Sequence, residues 1–186
     1  GTEFKRNKTN KSYLSSARDL GEWDYWLYAS HYQTDGFMLS EDFEPTNTEN
    51  GEVRDNSERD QWDLQSKLNF TIFDFHSIGF QAGYSFMDTK EIPRIVYAKN
   101  EDNKKFRKFI DCTRYQLSTL GSFQLRYNLI SDVNIYYDRY DDTYAEYNPY
   151  TGDVYSQWPS NLKSWILGTH QKFNWEITDH LNSAFG

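Results

Sequence analysis

From Trp62 onward, apolar and polar residues alternate one for one. Trp62, Leu64, Leu68, Phe70 and Ile72 fall on one side, and Asp63, Gln65, Lys67, Asn69 and Thr71 on the other. A period of two marks a β-strand, because successive side chains point to opposite faces of a sheet. After a tight turn over Asp74 to Ser77 the alternation resumes, with Ile78, Phe80, Ala82, Tyr84 and Phe86 set against Gly79, Gln81, Gly83 and Ser85. The stretch Trp62 to Asp88 therefore predicts a β-hairpin. Its polar side carries Asp63, Lys67 and Gln81 in mid-strand, and its apolar side begins and ends in aromatics. Strands of about ten residues with aromatic ends and a wet polar face suit a membrane barrel. Those of a soluble sandwich are typically about five or six residues long.

The same rhythm runs on either side of the hairpin. Ser12 to Leu20 enters a strand, and Trp23 to Gln33 forms another with aromatics on both faces, for which Tyr25, Leu27 and Ala29 are the expected lipid side. From Thr113 to Asn128, Tyr115, Leu117, Thr119, Phe123, Leu125 and Tyr127 oppose Arg114, Gln116, Ser118, Ser122, Gln124 and Arg126. Two arginines on one polar face fit a watery lumen, since an unpaired charge in a dry core is very costly. Val133 to Tyr147 turns polar and tyrosine-rich after Tyr137, as a strand leaving lipid for water would. Ser164 to Ile177 alternates again, with Gln171 its one poor fit to lipid, and a last strand follows residues 178–180.

Between these strands the connections alternate in length. Residues 20–22, 74–77, 129–132 and 178–180 are short, whereas 34–59, 89–110 and 148–161 are long, polar and rich in turn formers such as Pro45, Asn50-Gly51, Pro93, Pro149 and Gly152. Gly1 to Lys11 reads as loop or strand end. Outer-membrane barrels sort short turns to the periplasmic side and long loops to the outside. The expected fold is all-β, an antiparallel up-and-down transmembrane β-barrel, present in part, with about eight strands, short periplasmic turns and long extracellular loops.

Composition changes this picture little. The hydrophobic fraction is 37%, the mean hydropathy is −0.90, and no run approaches the length of a transmembrane helix. In a barrel only alternate residues meet lipid, so a low average is expected. Aromatics make up 18%, and the net charge of −8 argues against a nucleic-acid partner. Cys112 is the single cysteine, so an internal disulfide and cysteine-pair zinc sites are excluded, and any pairing would need a partner outside this stretch. The start, GTEFKRNK, has no signal-peptide pattern, which for an exported protein predicts a mature form or an excised segment.

No G-x-S-x-G, H-E-x-x-H, P-loop or G-x-G-x-x-G motif is present, and no enzyme or cofactor is expected. His76 and His180 fall in short turns, and His170 on the lumen side reads as a polar wall residue ahead of a metal or haem ligand. Arg94, Lys104, Lys105, Arg107 and Lys108, with Lys99, place cations in the second long loop, where they would attract an anionic ligand. A solvated charge run or contact with lipopolysaccharide phosphates is the plainer alternative. Tyr144, Tyr147, Tyr150, Tyr155 and Trp158, with Tyr140, gather around the third long loop; they suit ligand contact, or an upper aromatic girdle. The acidic groups Glu41, Asp42, Glu44 and Asp138, Asp141, Asp142 lack calcium-loop spacing and read as solvated.

WDYWLYASHYQTDGF, a strand ending in T-D-G-aromatic, then KLNFTIFDFHSIGFQAGYSF, IPRIVY and QLRYNLISDVNIYYDRYDD follow one another in this order. The succession resembles the barrel of TonB-dependent outer-membrane receptors, which import ferric siderophores, haem, cobalamin or glycans. A complete barrel of that family has about 22 strands around an N-terminal plug. The resemblance implies that residues 1–186 are part of a single transmembrane barrel domain, without the plug, in the bacterial outer membrane. It also implies a ferric siderophore or similar small ligand, the TonB system acting through the missing plug, lipid and lipopolysaccharide around the wall, and bacteriocins or phages as further visitors. Two other readings stand beside it: a self-contained small outer-membrane barrel, structural or adhesive, and a soluble β-rich carbohydrate-binding module.

Overall fold

A computed structural model describes residues 2–5, 9–45, 51–54, 57–73, 75–91, 106–147, 159–178 and 181–186. Nine strands make up one sheet: β1 (Thr2–Lys5), β2 (Thr9–Asp19), β3 (Trp23–Thr34), β4 (Arg59–Ile72), β5 (His76–Glu91), β6 (Phe106–Arg126), β7 (Leu129–Tyr147), β8 (Ser160–Thr178) and β9 (Leu181–Phe185). Each pairs antiparallel with its neighbour in chain order, and β1 and β9 are the two free edges, so the sheet is an open meander. The alternation of the sequence is what builds it, since every strand has one row of apolar and one row of polar side chains to offer.

Register confirms which residues share a face. Leu64 stands between Ala29 and Tyr84, Leu68 between Tyr25 and Phe80, and Ala82 beside Leu117. Tyr25, Leu27 and Ala29 therefore belong to the same face as Leu64 and Leu68, as expected for this strand of mixed aromatics. On the reverse face Lys67 pairs with Gln81, Gln81 with Ser118, and Gln116 with Asp138.

Several boundaries differ from the sequence reading. A ninth strand, β1, pairs with β2 where loop or strand end was expected. The central turn lies at residues 73–75, so His76 opens β5; its Nδ1 accepts a hydrogen bond from the backbone N–H of Gln124. The turn between β6 and β7 falls at residues 127–128, and Leu129, Ile130 and Ser131 already pair with β8. A register shift between Gln124 and Arg126 takes Leu125 out of the regular ladder, and Tyr127 lies in the turn past the end of β6; they are 54% and 90% exposed. The second loop is shorter than expected, because β5 runs on to Glu91 and β6 begins at Phe106. Patterned hydrophobicity fades there, yet backbone pairing with a neighbouring strand carries the ladder onward.

The first long connection is not a bare solvated loop. Phe37 and Leu39 bond backbone-to-backbone with Arg54 and Glu52 around a bridge between Met38 and Val53. Thr34 Oγ1 accepts from the N–H of Gly36, whose φ of 122° only glycine adopts readily. A Cβ at Gly36 would lie 2.2 Å from Ser57 Oγ and 2.7 Å from Val53 Cγ1. The T-D-G-aromatic end of β3 is thus a fold-back in which Phe37 lies under the Arg54 guanidinium, 5.7 Å from its ring centre.

Candidate functional site

A sheet of this size ordinarily covers one face with helices or a second sheet. Here Cys112 and Ala145 are the buried apolar residues among those described, and no large described side chain is fully buried. The accessible surface is 13797 Å², against about 9400 Å² for a compact monomer of this mass. Among the described residues both faces are open, and what each presents is the candidate site.

The apolar face is a continuous band. Trp62, Leu64, Phe80, Leu117, Ile135, Trp165 and Leu167 on it are each between 46% and 67% exposed. Its edges run obliquely across the strands. Trp62 at the upper edge on β4 is aligned through Phe86 and Thr113 with Asp141 on β7, but the unbroken apolar run on that face of β7 stops at Tyr137, four residues lower after three strands. Ile72 at the lower edge is aligned through His76, Phe123 and Ser131 with Phe173 on β8, yet apolar residues continue to Ile177, four residues lower after four strands. With about 3.3 Å per residue and about 4.8 Å between strands, these drifts correspond to a slant of roughly 35° to 42°. Transmembrane barrel strands tilt by about 35° to 45°. Trp165 on β8 is only two residues below the row of Trp62, so the upper edge drifts less at this corner. Gln171, the poor fit on β8, donates to Ser131 Oγ at 3.1 Å, so its amide is partnered within the band.

The polar face is cross-linked by side-chain hydrogen bonds. Asn69 donates to Asp24 at 2.6 Å, Ser85 to Asp63 at 2.7 Å, and Ser122 to Asp132 at 2.7 Å. Arg114 grips Asp138 through Nε at 3.0 Å and Nη2 at 2.5 Å. These two lie just beyond the apolar stretches of β6 and β7, and the guanidinium holds the Asp138 carboxyl below the usual carboxylate range. Between them and Trp26 lies a depression of about 360 Å³ walled by Gln65, Lys67, Gln81, Gln116 and Asn134. Higher on this face, Cys112 is buried against Asp142, and the Tyr140 hydroxyl is pushed well above its ordinary value by burial and these two neighbours.

Of the residues expected to bind ligand, Arg94, Lys104, Lys105, Tyr150, Tyr155 and Trp158 lie outside the described residues. Arg107 and Lys108 are not loop residues; their backbones pair within β6 opposite Glu146 and Ala145. Tyr147 ends β7 opposite Phe106. Tyr144 is likewise a strand residue, its ring edge-on to Phe109 with centroids 5.5 Å apart. Of the expected cations and aromatics, Arg107, Lys108, Tyr144 and Tyr147 are therefore brought to neighbouring strands, β6 and β7, at the end of the sheet that bears residues 35–58, 92–105 and 148–159.

No family model, curated protein or solved structure matches the chain. Sequence reasoning read Asp141 only as one of a solvated acidic group and missed Arg139 beside it on β7 and Lys163 opposite it on β8. Parity alone would have found it, since 139, 141 and 137 share one face.

Proposed function

We propose that this chain is a section of the wall of an outer-membrane receptor barrel, of the TonB-dependent kind, through which a scarce ligand such as a ferric siderophore is imported. The observation that carries the reading is the broad apolar band with no core behind it, slanted as tilted strands in a bilayer would be. A band of that extent in water would be an aggregation surface. Lipid covers it without a second layer of protein, while the hydrogen-bonded polar face lines a wet interior. The open edges at β1 and β9 favour a wall completed by further strands over a barrel closed by these alone. A soluble carbohydrate-binding module would require a core that the described residues do not form.

The ligand class rests on the resemblance in the sequence together with the cations and aromatics toward the loop end. The test uses the polypeptide that the gene encodes, expressed in cells with and without an energised TonB system. Expected are heat-modifiable migration on gels, extraction only with detergent, and TonB-dependent uptake of a ferric chelate. A monodisperse protein in detergent-free buffer would sink the membrane reading. Membrane extraction with TonB-independent uptake would leave a barrel and remove the receptor.

A further inference from the structure

We propose that the polar-face depression binds a short peptide, by its terminal carboxylate and its backbone amides. This rests on the reading above of the polar face as a wet interior. Trp26, Lys67, Gln81, Ser118 and Tyr136 follow one another in one register row from β3 to β7, and Gln65, Gly83, Gln116 and Asp138 make the next row toward the loop end. Two features hollow the floor between them. Gly83 puts no side chain between Gln65 and Gln116, where a Cβ would stand 3.3 Å from Gln116 Oε1. The Tyr136 ring lies over Gly168 on β8, where a Cβ would come within 2.4 Å of Tyr136 Cζ, so the ring leans away from β6.

What the hollow offers is uncommitted polar chemistry. The carboxylates around it are taken: Asp24 accepts from Asn69, Asp63 from Gln61 and Ser85, and Asp138 from Arg114 and Gln116. The Lys67 ammonium has no hydrogen bond or ion pair with any described residue. Asn134 Oδ1 is buried without a hydrogen-bond partner. An acceptor left so is costly, and its carboxamide gains by turning to an N–H in the depression. A ligand carboxylate on Lys67 and a ligand N–H on Asn134 satisfy both. Between them Gln81 keeps its Nε2 donor and Gln116 its Oε1 acceptor, because Ser118 donates to the oxygen of the one and Asp138 accepts from the nitrogen of the other. One donor and one acceptor side by side are what the C=O and N–H of a peptide unit require. Lys67 and Asn134 stand three strand spacings apart, roughly 14 Å, the reach of about four extended residues. Trp26, stacked on Tyr28 with ring centroids 5.8 Å apart, offers a fixed apolar surface beside Lys67 for the last side chain. A neutral saccharide would leave Lys67 without an anion.

The test uses the gene-encoded protein in detergent micelles and calorimetric titration. The probe is a tetrapeptide of three alanines and a C-terminal phenylalanine, as free acid and as C-terminal amide, with a linear tetrasaccharide of glucose for comparison. The free acid should bind roughly tenfold or more tighter than the amide. Lys67→Met should remove that difference by weakening the acid alone, which a merely structural role for Lys67 would not do. Asn134→Ala should weaken acid and amide alike, and so should Gly83→Val, which fills the floor. Equal affinity for acid and amide overturns the carboxylate site, and tighter binding of the tetrasaccharide overturns the peptide in favour of a sugar. No peptide binding by a protein that still requires detergent overturns the site and spares the barrel. A protein that is monodisperse without detergent and binds no peptide removes both readings.

Discussion

Replacing Leu117 with arginine separates lipid from water as the medium that meets the apolar face. Leu117 lies on β6 between Ala82 and Tyr137, is 55% exposed, and has the apolar band extending on both sides of it. If water covered this face, an arginine at so open a position would change stability by no more than about 0.5 kcal/mol. In a bilayer the same charge near the midplane costs roughly 2 to 4 kcal/mol, which lowers the folding equilibrium constant about 30-fold to nearly 1000-fold. Leu68→Arg, near the middle of the band on β4, should behave alike. Lys67→Ser and Gln116→Ser, on the polar face beside them, should stay within about 0.5 kcal/mol. The assay is reversible unfolding of the gene-encoded protein in lipid vesicles by guanidinium, with heat-modifiable migration as a check on assembly. Equal and small effects in both pairs would refute the assignment of the apolar face to lipid.

Sidedness follows from the order of the connections: a cysteine at Glu41 should react with an impermeant reagent on intact cells, and one at Tyr127 should react only after lysis, in a Cys112→Ser background. The reverse pattern would invert the orientation. Gly36→Ala should cost about 1 to 3 kcal/mol locally through its positive φ and the close approach of Ser57 and Val53, seen as faster proteolysis between Phe37 and Arg54 with the unfolding midpoint of the sheet unchanged. The Asp138 carboxyl is depressed by Arg114, so the pair contributes stability that is present above the ordinary carboxylate value of 3.8 and is lost as the pH falls through the lower folded value. Because Arg114 is 49% exposed, the difference between wild type and Asp138→Asn should be below about 1 kcal/mol at pH 7. It should disappear under strong acid, and a difference that grew on acidification would exclude the pair as its source.

The strands were legible because their signal is local. A single period of two, repeated from Trp62 through Phe86, specifies strand, turn and face together. Strand ends were less legible. Phe106 to Ile110 reads as a charged loop, and its inclusion in β6 depends on hydrogen bonds to residues more than thirty positions away on β7. The turn at residues 127–128 was misplaced because Leu125 and Tyr127 keep the apolar rhythm past a register shift that the rhythm does not reveal. The candidate ligand residues were chosen by charge and aromaticity. Pairing of Arg107, Lys108, Tyr144 and Tyr147 across two strands is a matter of register, which composition does not encode.

The band's slant bears on how this sheet is completed. In an untilted sheet the apolar stretch would end on the same register row in every strand, and Asp141 would lie in lipid beside the row of Trp62 and Phe86. The observed drift of about one residue per strand lifts Asp141 and Arg139 clear of the band, which on the proposed reading would put them at the headgroups. Followed the other way, the same drift raises the lower edge on β2, bringing Arg18 close to the turn-end rim even though it is paired with Tyr25 and aligned with Leu68. A long cationic side chain there can reach the headgroups while its stem stays in lipid. On the proposed reading, one tilt would reconcile Asp141, Arg139 and Arg18 with a bilayer, and strand tilt with a register stagger is what closing a sheet into a barrel requires. On the proposed reading the free edges of β1 and β9 would be where the wall continues; among the described residues β8 is paired with β9 only from Phe173 to Thr178.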